Sequence, residues 1–102
     1  MKKIKVYTGY NYRTNTRYYK NFEVVDRLPE VGEIVWGGDY HGERDVVKAV
    51  LPVAIDPEQG SDEVWDYEYY AVTIALEEQD DDGEWAEGFE ETRYYAVRRK
   101  EE

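Results

Sequence analysis

Carboxylates dominate the chemistry this chain can offer. Between Ala49 and Thr92 there are fifteen Asp and Glu and no Lys or Arg. Such a density can serve a metal ion, an acid–base pair or a basic macromolecule, and each use demands its own spacing. Asp80-Asp81-Asp82-Gly83-Glu84 is a fragment of a calcium loop, with Glu91 at position twelve counted from Asp80. The full loop needs acids at alternating positions and Gly at position six, where this chain has Trp85. Asp39, His41 and Glu43 have an i, i+2 spacing that could meet a metal from extended backbone, but the segment also holds Gly37, Gly38 and Gly42, and a lone surface His is usually only that. His41 and Ser61, twenty residues apart, lack a nucleophile elbow, and Gly37-Gly38 lacks the Lys and helix of a phosphate loop. The carboxylates are too numerous to single out an acid and a base. The absence of Cys removes disulfides, thiolate catalysis and Cys-held metal clusters, and fits a reducing cytosol. No catalytic residue, metal or cofactor is expected, and the chain reads as a binding protein rather than an enzyme.

The charge is unevenly placed. Residues 1–48 carry nine basic and seven acidic side chains, and residues 93–102 carry four and two, so the three stretches contribute +2, −15 and +2 to the net −11. A one-signed, aromatic-laced stretch attracts a basic partner and repels nucleic acid and anionic membrane. The ordinary account of such acidity is a solvated surface that keeps a protein soluble. Three features favour a functional account. Basic residues are missing from the stretch, not merely outnumbered. Asp66 and Glu68 have the spacing that puts both on one face of a strand, roughly 7 Å apart. Glu77, Glu78, Asp80, Asp81, Asp82, Glu84, Glu87, Glu90 and Glu91 crowd a single predicted hairpin. A line of carboxylates can stand in for a line of phosphates in a groove built from Lys and Arg. Trp65, Tyr67 and Trp85 are the candidate anchors, because interface energy concentrates in buried aromatics.

In size, charge, lack of Cys and aromatic content, the segment Asp56 to Glu91 resembles the acidic DNA-mimic inhibitors of phages and other mobile elements, of the anti-restriction and anti-CRISPR kind. The resemblance implies a basic partner, a nucleic-acid-binding host enzyme such as a CRISPR effector nuclease, restriction enzyme or repair protein, met in the cytoplasm of a bacterial cell. It implies competition for the groove, with no direct contact to nucleic acid or membrane. These inhibitors share no fold and no residue motif, so nothing follows about architecture. The basic first third of the chain departs from the pattern, and the resemblance makes it scaffold or a face turned from the partner. A second expectation, of a different class, is a small β-barrel accessory or assembly module that uses its aromatics for protein contacts and its acidity for solubility alone.

The elements that must position these residues are strands. A length of 102 residues suits one domain, 1–102, with a frayed tail over 98–102, and an aromatic fraction of 16% supplies enough apolar material for a core. No segment reaches the ~18 apolar residues of a membrane span. The dominant period is two: Ile4, Val6 and Thr8 alternate with Lys3, Lys5 and Tyr7. Arg13-Thr14-Asn15-Thr16 reads as a hairpin turn, since Asn tolerates left-handed backbone angles, with Arg17 to Val25 returning. Further strands are expected at Ile34 to Trp36 and over Val47 to Ile55, where Pro52 marks an edge or bulge. In the next strand Trp65, Tyr67 and Tyr69 share a face, and the apolar side switches near Tyr69-Tyr70. Asp80 to Gly83 is a turn, and Arg93 to Arg99 the last strand. Glu84 to Glu91 is the only stretch with a helical spacing, weakened by Gly88. Tyr7, Tyr10, Tyr12, Tyr18 and Tyr19 gather in the first hairpin beside Arg13, Arg17 and Lys20. Such a set can stack single-stranded bases, but cross-strand aromatic packing is the simpler account in a chain of this charge. The fold class is all-β, or α+β with one short helix: an antiparallel, five- to seven-stranded curled sheet or small barrel.

Overall fold

The structure, a computed structural model, describes residues 2–38 and 42–100. Six strands form one sheet: β1 (Lys3–Asn11), β2 (Thr16–Val24), β3 (Ile34–Gly38), β4 (Glu43–Pro52), β5 (Tyr67–Gln79) and β6 (Trp85–Arg98), in the order β1-β2-β6-β5-β4-β3. Among the described residues the one helical piece is a short 3₁₀ turn, Asp62–Asp66. The fold is all-β, as the period-two pattern required. The sheet is mixed rather than wholly antiparallel, because β2 and β6 run parallel where Glu23 meets Tyr95 and Val24 meets Ala96. Parallel neighbours need a long connection, and here β3, β4 and β5 all intervene. From Trp85 onward the Glu84–Glu91 stretch is strand, not helix. No helix among the described residues is long and apolar enough to cross a membrane.

The chain divides into two compact units. Unit 1 comprises Met1–Leu28, Pro52–Tyr70 and Tyr94–Glu102; unit 2 comprises Pro29–Leu51 and Ala71–Arg93.

Unit 1 is built on the β1–β2 hairpin, whose register sets Ile4 against Phe22 and Tyr7 against Tyr19. The turn residue Asn15 has φ +53°, the left-handed angle the sequence assigned to it. The alternation of β1 does not run its full length: the register shifts between Tyr7 and Gly9, and Thr8 is exposed. The core gathers Ile4, Val6, Phe22, Val64, Tyr67, Tyr69 and Ala96. Phe22 meets Tyr69 and Tyr94 edge-on, with ring centroids 4.8 and 5.6 Å apart, the arrangement ring quadrupoles favour. The Tyr69 hydroxyl donates to the Val64 carbonyl at 2.7 Å, which satisfies a buried polar group, and burial pushes its pKa up to about 12.

Unit 2 takes β3, most of β4 and the hairpin halves of β5 and β6, in the order β3-β4-β5-β6. Val46, Val47, Val72, Ile74 and Ala75 are buried. Along β5 the buried side passes from Tyr67 and Tyr69 to Val72 and Ile74, the switch read from the sequence. At Gly37 of β3, φ is +80° and a Cβ would press on the Glu43 carbonyl oxygen, so this strand position tolerates only glycine.

Candidate functional site

The acidic hairpin is organised by its own turn. The Asp80 amide donates to the Glu84 carbonyl at 2.8 Å and the Gly83 amide to the Asp80 carbonyl at 3.0 Å, with Gly83 at φ +84°. One oxygen of the Asp80 carboxylate accepts from the amides of Asp82 and Glu84, both at 2.9 Å. Asp80 therefore shapes the turn, as Asp commonly does by bonding backbone two residues on. Asp80→Ala is expected to cost about 1 kcal/mol, the net value of a hydrogen bond or two, while Asp80→Asn keeps the acceptor and most of the stability. Urea midpoints of the two variants check this, and equal losses would mean that the carboxylate charge rather than the cap holds the turn.

The charge of Glu77 is neutralised inside unit 2. Its residue is 8% exposed, and its carboxylate accepts from Arg44 Nε at 2.7 Å and from Lys48 Nζ at 2.8 Å. Hydrogen bonds from Lys48 and then Arg44 hold the carboxyl below the usual carboxylate range, and the bond to Glu77 raises the Lys48 ammonium. The Arg44 guanidinium also lies 4.0 Å from the centre of the Trp85 ring, a cation–π contact that leaves this half-buried indole partly covered. Arg44 and Lys48 were not among the residues the sequence marked for the site. A signal existed, since basic residues four apart on a strand share a face, but nothing local said which acid they would meet.

Of the expected partner-facing residues, Glu78, Asp80, Asp81, Asp82, Glu84, Glu87, Glu90 and Glu91 are exposed on the hairpin. Glu77 is not on the surface, for the reason just given. Tyr67, expected as an anchor, is 1% exposed and belongs to the core of unit 1. Trp65, Asp66 and Glu68 are also in unit 1, apart in sequence and unit from the acidic hairpin. Trp65 and Asp66 sit on the 3₁₀ turn and β5 begins only at Tyr67, so the strand spacing expected of Asp66 and Glu68, and the shared face expected of Trp65 and Tyr67, do not apply. Trp65 and Tyr70 line an open groove of about 470 Å³ with Val53, Ile55, Glu68 and Arg99. Glu68 accepts a hydrogen bond from the Tyr70 hydroxyl at 2.8 Å.

Of the first-hairpin tyrosines, Tyr7 is buried and Tyr10, Tyr12, Tyr18 and Tyr19 are exposed. Tyr7 meets Tyr19 edge-on at 5.6 Å, Lys5 lies 4.9 Å over Tyr19, and Lys20 lies 3.9 Å over Tyr94. Tyr12 stands 82% exposed at the turn.

Folding sorts the charge more sharply than the linear sequence does. Unit 1 holds ten basic and ten acidic residues, and unit 2 holds three basic and fourteen acidic. The whole net charge of −11 is thus the charge of unit 2. Each of the three bases of unit 2 is paired with one of its own acids: Arg44 and Lys48 with Glu77, and Arg93 with Glu91 at 2.6 Å. Asp39 and His41, of the metal set considered above, lie outside the described residues. Among the described residues no three of His, Asp and Glu are grouped to hold a metal ion.

Compared with protein-family models, curated proteins and solved structures, the chain matches none.

Proposed function

We propose that this protein is an inhibitory binding protein whose acidic unit occupies the basic groove of a nucleic-acid-binding host enzyme, such as a CRISPR effector nuclease or restriction enzyme, and excludes the substrate by competition. The observation that carries this reading is the sorting of charge: unit 2 has fourteen acids, and its three bases are all engaged by its own carboxylates. A surface meant only for solubility intersperses both signs. The hairpin also supports it: eight exposed carboxylates stand on the end of β5, the turn and the first part of β6, with only Glu91, among the described residues, engaged by a base of the same unit.

A second reading draws on a different observation. Among the described residues the part of β6 in unit 2 is an edge, since β2 pairs with β6 only at Tyr95 and Ala96, and acids on an edge oppose unwanted strand pairing. The protein would then be an accessory module whose acids protect it.

Retention of lysate proteins on the immobilised protein at low salt, eluted in salt steps with and without prior nuclease treatment, separates the two. Competition predicts that nucleic-acid-handling proteins bind better once their nucleic acid is digested, and that they elute at moderate salt. If nuclease makes no difference, or nothing basic is retained, the inhibitor reading fails and the protected-edge module replaces it.

A further inference from the structure

The segment of β6 within unit 2 has β5 on one side; β2 flanks β6 on the other but pairs with it only at Tyr95 and Ala96, so among the described residues no strand pairs with the outer edge of this segment. Every residue from 86 to 92 is exposed. Because side chains alternate across a strand, seven consecutive exposed residues mean that neither face of β6 is covered there. An unpaired edge presents a row of free amides and carbonyls, which is a template for another strand. Its side chains are specific in kind. Glu87, Phe89 and Glu91 fall on one face, Phe89 is 74% exposed, and Glu91 shares its carboxylate with Arg93 of the same strand.

We propose that this edge of β6 takes up an extended basic segment of the partner protein as an added strand. On one face that segment would carry the pattern basic, apolar, basic at every second residue, opposite Glu87, Phe89 and Glu91. Cross-strand pairs of opposite charge are favourable, and like pairs are not. The same rule excludes a second copy of the chain as the occupant: β6 on β6 sets Glu against Glu, and two molecules of net charge −11 repel before they meet. The proposal rests on the reading that unit 2 binds a basic partner, and adds that backbone pairing as well as charge holds it.

The probe is the acetylated, amidated peptide Lys-Thr-Leu-Thr-Lys-Thr-Lys, compared with a copy N-methylated at alternate residues, which keeps the charge and removes backbone donors. The intact protein is titrated with each at low salt, followed by amide NMR and hydrogen exchange. The unmodified peptide is expected to bind about tenfold or more tightly than the methylated one, the effect of losing a few strand hydrogen bonds. It is also expected to protect amides within residues 85–93. Glu87→Lys with Glu91→Lys should abolish this binding, and a peptide with Glu in place of Lys should restore it; both sites are exposed, and circular dichroism checks the fold.

Equal binding of the two peptides would overturn strand addition while leaving charge-driven binding by unit 2 intact. Shifts confined to residues outside 85–93, or a concentration-dependent dimer in sedimentation, would overturn it as well. If neither peptide binds while nuclease treatment still increases the retention of nucleic-acid-handling proteins, only this inference falls. If both measurements are negative, it falls together with the inhibitor reading.

Discussion

Reversing three charges at the tip of the acidic hairpin, Asp81→Lys, Asp82→Lys and Glu84→Lys, is expected to weaken binding to a basic partner about a hundredfold. Each exposed ion pair contributes up to about 1 kcal/mol, and reversal replaces attraction with repulsion of similar size, so three sites together approach about 3 kcal/mol. The three side chains are exposed, and of these residues only the backbone of Asp82 and Glu84 takes part in the turn. Asp80 is left in place because its carboxylate caps that turn. The variant should therefore keep the unfolding transition of the wild type while losing retention of nucleic-acid-handling proteins. The salt sensitivity of whatever binding survives should fall with it. Unchanged retention in a folded variant would remove the hairpin from the partner surface and leave the acids with a protective role.

The largest effect on stability is expected at Glu77. Glu77→Ala leaves the half-buried Arg44 and Lys48 without their counter-charge, and removing one partner from such a cluster leaves uncompensated charge in poorly solvated surroundings. The loss should be about 3 kcal/mol, the lower end of the range for buried pairs, because both cations keep some contact with water. That corresponds to a fall in Tm of more than about 10 °C for a domain of this size. Glu77→Gln, which keeps an acceptor, should lose less.

The same cluster sets a pH dependence whose direction is fixed. Lys48 and Arg44 hold the Glu77 carboxyl below its ordinary value of 4.5, and Lys2 does the same to Glu63. A carboxyl with a depressed folded-state pKa stabilises the fold above its unfolded value, and that contribution disappears as pH falls through the depressed one. Lys48 behaves in the opposite sense. Its pKa is raised above 10.5 by Glu77, so its contribution is complete below that value and is lost as pH climbs through the raised one. Between these limits both contributions are complete. The wild type should thus hold its stability from near neutrality down to about pH 5 and lose it below pH 4 or so. The acid decline should be visibly shallower in Glu77→Gln, and superimposable urea midpoints across pH 3 to 6 would show that the cluster is not coupled to folding.

Local chemistry determined a good deal here. The alternation of Ile4 and Val6, the left-handed Asn15, the Asp80–Gly83 turn and the change of buried side along β5 were all legible, because each depends on a few neighbouring residues and on backbone sterics. Where local pattern misled, a tertiary demand had overruled it. The 3₁₀ turn Asp62–Asp66 took Trp65 and Asp66 out of the strand, and the bulge after Tyr7 turned Thr8 to solvent. The helical spacing of Trp85 and Phe89 gave way to strand pairing with β5.

The acidity and its sign belong to the sequence alone. Which carboxylates face water was decided by pairing between strands distant along the chain. Arg44 and Lys48 reach Glu77 across separations of 33 and 29 residues and silence it, though no base lies within the acidic stretch itself. Unit 2, drawn from two separate segments, then collects the whole net charge and leaves unit 1 neutral. Charge is a property of composition, but a charged surface is a property of the fold: neighbours along β6 bring Arg93 to Glu91, while pairing between distant strands brings Arg44 and Lys48 to Glu77 and leaves the other hairpin acids to water.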